Sequence, residues 1–77
     1  MITKKDIGKI VRVTDNDKGD ITNLKGTIGI FSSIIPEIFD GYRYAVIKII
    51  NTPNTKLMND LEADSDYAVK ICNLELI

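Results

Sequence analysis

The sequence predicts a small, strongly bent β-barrel. Three observations carry that reading. Short runs alternating apolar and polar residues recur along the chain, separated by Gly, Pro, Asn and Asp. The apolar content leans on isoleucine, with fourteen Ile against five Leu and four Val. Such β-branched side chains are stiff at χ1 and sit well on a pleated surface. Finally, Leu24-Lys25-Gly26-Thr27-Ile28-Gly29-Ile30-Phe31 carries two glycines three apart into a strand that closely follows a first one. Glycine there relieves crowding where a strand coils hard or another backbone comes near.

Lys9–Val13 reads as the first strand, with Val11 and Val13 on one face and Arg12 on the other. Thr14–Asn23 is a polar loop, broken by Gly19 and rich in Asp and Asn that bond their own backbone. Thr27–Ile34 is the second strand, with Ile28, Ile30 and Ile34 in one row turned inward. Pro36 ends that run, and Asp40-Gly41 marks the connection onward. Tyr42–Ile50 is the strongest strand, apolar on both rows and so read as a central one, with Ala45, Ile47 and Ile49 inward. Lys56–Ala63 is ambiguous between a short helical turn near 56–62, capped by Thr55, and an edge strand. Tyr67–Cys72, with Val69 and Ile71 inward, and Leu74–Ile77 complete the set. Five short strands in this order give an all-β, five-stranded barrel of SH3-like type.

Seventy-seven residues make one domain, 1–77, near the lower limit for a core without metal or disulfide support. A hydrophobic share of 44% is too high for a disordered chain. Cys72 is the only cysteine, so an internal disulfide is impossible and a reducing compartment is expected. No apolar run follows the basic start and none reaches the length of a membrane span, so a soluble, cytoplasmic protein is expected. Net charge is −1, distributed unevenly. Residues 1–12 carry Lys4, Lys5, Lys9 and Arg12 against Asp6, whereas 57–69 carry Asp60, Glu62, Asp64 and Asp66 with no cation. Such a layout either steers a charged partner or simply faces water.

Asp6-Ile7-Gly8-Lys9-Ile10-Val11-Arg12-Val13, followed by Leu24-Lys25-Gly26-Thr27-Ile28-Gly29-Ile30, resembles the KOW-type SH3-like barrel motif. In that motif an acidic residue and a glycine lead one strand, and a Lys-Gly turn leads the next. The remainder is similar to small barrel proteins of phages and bacteria, with Tyr42-Arg43-Tyr44-Ala45-Val46 as the middle strand and Asn73-Leu74-Glu75-Leu76-Ile77 as the closing segment. The resemblance implies a nucleic-acid or protein contact through the first loop. Here that loop is longer than the family's tight turn and carries Asp15, Asp17 and Asp20, which disfavours a phosphate backbone. A composition rich in Ile, Lys and Asn also suits an AT-rich genome such as that of a large phage.

Catalysis has little to draw on. Without histidine, Ser32, Ser33 and Cys72 lack the usual activating base. The acidic loop from Asp15 to Asp20 superficially resembles a calcium loop, but its fifth position is Gly19, its sixth Asp20 and its twelfth Gly26. The carboxylates Asp60 to Asp66 have no companion ligand, and Gly26 and Gly29 lack the spacing of a phosphate-cradling loop. Neither an enzyme, a cofactor nor a metal is expected.

What remains is a surface. The outer rows are expected to present Phe31, Tyr42, Tyr44 and Tyr67, bordered by Arg12, Arg43 and Lys48. Aromatic rings beside cations suit anchoring a protein partner or stacking on bases. The competing account gives those rings to a second small core. Apolar Ile35, Ile38 and Phe39, read here as part of a connection, are a further interaction hint if exposed. The sequence therefore favours a non-enzymatic protein-binding module, phage-like and acting on a host machine. The alternative is KOW-type nucleic-acid or nucleotide binding through Lys9, Arg12 and Lys25, joined by Arg43 and Lys48 around the tyrosines. Self-association through a β edge is a third possibility.

Overall fold

The computed structural model describes residues 2–15, 24–53 and 66–77. Its five strands are β1 (Ile10–Val13), β2 (Ile28–Phe39), β3 (Tyr42–Asn51), β4 (Asp66–Lys70) and β5 (Leu74–Leu76). All neighbours are antiparallel, in the single sheet order β4-β3-β2-β1-β5. Every strand contributes to one core made of Ile2, Val11, Val13, Leu24, Phe31, Ala45, Ile47, Val69 and Leu74. A single sheet can gather all its strands round one core only by curling, so this is the bent five-stranded barrel expected from the sequence. The radius of gyration of 11.6 Å matches the roughly 11–12 Å of a compact chain this long. No described helix is long and apolar enough to cross a membrane. The segment 56–63, whose state the sequence left open, and most of the first polar loop lie outside the described residues.

The curl goes with irregular pairing between β2 and β3, with the extra residue at the first shift in β3 and at the other two in β2. Register shifts fall between Ile28 and Gly29, between Phe31 and Ser33, and between Ile34 and Ile38. At the first, Gly29 is opposite Ile49, and a Cβ on it would stand 2.7 Å from the Lys48 carbonyl oxygen. No side chain fits there without moving backbone, so the close approach that the glycine pair implied is real.

These bulges also correct the inward row. Gly29 and Phe31 are buried, while Ile28 and Ile30 lie half-buried on the opposite face. Phe31, expected outside, has no exposed surface. The bulge at Ser32 then switches phase, and Ile34 does pack against the core, opposite Ala45. Alternation misleads because β2 is apolar on both rows, and one inserted residue exchanges the rows. Val11, Val13, Ala45, Ile47 and Val69 are buried as expected, with Ile49 and Ile71 half-buried against them.

Two further differences concern boundaries. Pro36 does not end β2, because Ile34–Phe39 continues as strand and pairs back on β3. Nor does strand run through Cys72, since Ile71–Asn73 forms a 3₁₀ turn between β4 and β5. At the other end a 3₁₀ turn spans Lys4–Asp6, capped by Thr3. The Asp6 carboxylate accepts from the Thr3 backbone N–H at 2.9 Å and from Lys9 Nζ at 3.0 Å. These two bonds, the backbone one first, hold the Asp6 carboxyl below its ordinary value of 3.8. The turn is fastened to the barrel where Gly8 N–H donates to the Phe31 carbonyl and Phe31 N–H to that of Lys9.

Candidate functional site: an aromatic face on the β2–β3 hairpin

The distal halves of β2 and β3 form an arm that β1 does not accompany, because β1 pairs with β2 only over Ile28–Ile30. Asp40 and Gly41 close the arm with φ of +52° and +80°. Two consecutive positive φ values are those of a type I′ turn, whose twist matches that of the paired strands, and Asp-Gly is among its favoured sequences. The turn sets Phe39 opposite Tyr42 on one face and Ile38 opposite Arg43 on the other.

Alternation along β3 then places Tyr44 on the same face as Tyr42, and pairing with β4 sets Lys70 opposite Tyr44. The result is a small cluster. Phe39 and Tyr44 meet edge to face, with ring centroids 6.0 Å apart and planes at 75°. Lys70 Nζ sits 3.8 Å from the Tyr42 ring centroid, within cation–π range. Phe39 remains 53% exposed and Tyr42 45%, and Ile38 on the reverse side of the arm is 58% exposed. Tyr44 is half-buried. The face therefore offers exposed aromatic rings, phenol hydroxyls and a positive charge held over one ring.

Only part of the expected surface is gathered here. Tyr42 and Tyr44 lie on the aromatic face, while Arg43 belongs to the reverse side with Ile38. Phe31 is in the core, and Tyr67, opposite Ile47, packs half-buried against that core. Lys48 is exposed farther along the outer face, opposite Ile30 and Asp66. Phe39 was legible as an apolar residue that wanted an explanation, but its place beside Tyr44 depends on the hairpin. Lys70 carried no signal, because only the β3–β4 register brings it to Tyr42.

The cations named for nucleic acid are scattered and engaged. Lys9 pairs with Asp6 at 3.0 Å, and Arg12 pairs with Glu75 across β1 and β5 at 2.6 Å. Arg12, Glu75 and Lys25 do share a shallow groove of about 260 Å³ with Val13, Thr14 and Gly26. Glu75, paired with Arg12, offsets one of its two positive charges. Among the described residues no group of three His, Cys, Asp or Glu is placed to hold a metal ion. No family model, curated protein or solved structure matches the chain.

Proposed function

We propose that this chain is a non-enzymatic binding module whose aromatic face, Phe39, Tyr42 and Tyr44 with Lys70, receives a protein partner. The observation that carries the proposal is the exposure of Phe39 and Tyr42 on an arm that projects past the core. A chain this short gains stability by burying rings, and two left in solvent beside a cation form the kind of anchor on which interfaces concentrate their binding energy. The setting proposed is the cytoplasm, with the protein acting phage-like on a host machine. That part rests on composition and on the KOW-like motif, which are analogies.

Nucleic acid is the second reading, favoured by the same stacking rings and by Lys70. Ion pairing of Lys9 and Arg12 works against it, since general affinity needs several cations free to meet phosphates. Fluorescence anisotropy with single-stranded RNA and duplex DNA should give dissociation constants no tighter than the non-specific range of about 10⁻⁴–10⁻⁶ M at physiological salt.

The direct test is capture from an extract of the natural host, comparing the wild-type chain with a Phe39→Ser/Tyr42→Ser variant. Loss of a specific protein from the variant, at an unchanged melting profile, supports the aromatic face. Retention of that protein would move the contact elsewhere on the barrel, and a tight salt-dependent nucleic-acid complex would put the second reading first.

A further inference from the structure

We infer that the outer face of β1 and β5 is a self-association surface, on which a second copy of the chain packs face to face about a two-fold axis running between those strands. Alternation sets the face. In β1, Val11 and Val13 are buried while Ile10 and Arg12 point outward. The register carries that facing to both neighbours. Ile10 is opposite Ile30 and Arg12 opposite Ile28 on β2, and Arg12 is opposite Glu75 on β5. The Ile77 N–H donates to the Ile10 carbonyl at 3.2 Å, which extends the β1–β5 pairing by one residue. Two rows result, Ile77–Ile10–Ile30 and Glu75–Arg12–Ile28.

The first row is apolar and open. Ile10 is 47% exposed and Ile77 66%, with Ile30 half-buried beside them. Isoleucines scattered singly over a surface are ordinary, but three side by side across three strands form a patch. It stands on the half of β2 that pairs with β1, apart from the aromatic arm.

The second row chooses the occupant. Arg12 and Glu75 pair at 2.6 Å, and each is about half exposed. The two rows thus hold one charge of each sign and offer no net attraction to a strongly acidic or basic partner. A second copy meets both charges. A half-turn about an axis parallel to β1 and β5, midway between them, brings each Arg12 over the partner's Glu75. The same operation brings each Ile10 over the partner's Ile77, so one axis satisfies both rows. Sheets packed face to face keep their strand directions within about 30° of each other, which this axis allows. The contact is isologous, hence closed at two copies. Lys48 beyond Ile30, and Lys25 in the groove shared with Arg12 and Glu75, border the patch, and each already holds an interaction.

Two short rows make a small interface, so association should be weak and concentration-dependent. Sedimentation equilibrium from about 10 μM to 1 mM, the range of weak complexes, should show a rise toward twice the 8.6 kDa chain mass. Ile10→Glu sets a charge in the middle of the apolar row and should leave only monomer. Arg12→Glu and Glu75→Arg should each weaken the dimer at least about tenfold, as like charges then face each other across the axis. The exchange Arg12→Glu/Glu75→Arg restores opposite charges within each copy and between copies, and should recover the dimer. Circular dichroism checks that the variants are folded, and an ion pair this exposed contributes little to stability. A wild-type chain that stays monomeric throughout overturns the inference. So does a dimer indifferent to Ile10→Glu or to the single charge reversals, or a folded exchange variant that remains monomeric.

Discussion

Phe31 and Phe39 stand in the same strand and meet opposite fates: the first has no exposed surface, the second is 53% exposed. Composition does not separate them, since each has isoleucine nearby in the chain. What differs is how many elements surround the strand at each point. At Phe31, β2 runs beside β3 and the N-terminal segment fastened to it by the Gly8 and Lys9 backbone bonds, and the sheet curls back over the ring. At Phe39 only the other arm of the hairpin accompanies β2. One half of β2 holds the fold together, and the other presents a surface. The division falls where β1 stops.

The sharpest way to break that comparison is to remove each ring in turn. Phe31→Ala should cost about 3–5 kcal/mol, the usual loss for a buried phenylalanine. Total stability for a chain of this length is on the order of 4–12 kcal/mol, so this variant should be marginal or unfolded at room temperature. A urea titration measures it directly. A loss below about 1 kcal/mol would mean that Phe31 is not the centre of the core.

Gly29→Ala should come next. Its Cβ would lie 2.7 Å from the Lys48 carbonyl oxygen, which belongs to backbone and cannot swing aside as a side chain can. Overpacking of this kind typically costs about 1–3 kcal/mol, and chemical denaturation at neutral pH should show it. A neutral result would mean that the β3 backbone opposite Gly29 relaxes freely, and that the glycine is not what permits the close approach of the two strands.

How far the sequence foretold these two halves depends on the kind of signal each residue carried. The strands, their order and the core positions Val11, Val13, Ala45, Ile47 and Val69 were legible, because no residue is inserted within the stretches of β1, β3 and β4 that carry them, so each keeps one facing. The phase of β2 was not. With apolar residues on both rows, its facing changes at the extra residue Ser32, whose place depends on the pairing with β3. Gly29 was the available clue, since it marked the crowded point, and Phe31 lies in phase with it. Tyr42 and Tyr44 could be placed on an outer row from β3 alone. Lys70 and Phe39 join them only through contacts between strands, which no single run of residues encodes.

Acid sharpens the comparison from the N-terminal side, where the turn that covers the Phe31 half is held by Asp6. Hydrogen bonding from Thr3 and Lys9 lowers the Asp6 carboxyl in the folded chain relative to the unfolded one. A depressed carboxyl stabilises the fold fully above its unfolded value near 3.8 and progressively less as pH falls through the folded one. The stability gap between the wild type and Asp6→Asn should therefore be constant at neutral pH and shrink on acidification below that value. Melting curves at a series of pH values measure the gap. A gap that stays constant into strong acid would mean that the carboxylate charge does not hold the turn.

The smallest effect is expected at the exposed ring. Phe39→Ala leaves the core untouched and removes one edge-to-face contact with Tyr44, at a centroid distance of 6.0 Å. Aromatic pairs are worth about 0.5–1.5 kcal/mol beyond their buried area, and partial exposure of this one places it near the lower figure. A double-mutant cycle with Tyr44→Ala isolates the pair from whatever each ring does separately. A coupling near about 0.5 kcal/mol, alongside a Phe39→Ala loss far smaller than that of Phe31→Ala, is the pattern of a presented surface. If Phe39→Ala instead destabilises the domain as Phe31→Ala does, the rings of the arm form a second core. The two halves of β2 would then share one role, and the aromatic face would lose its claim to a partner.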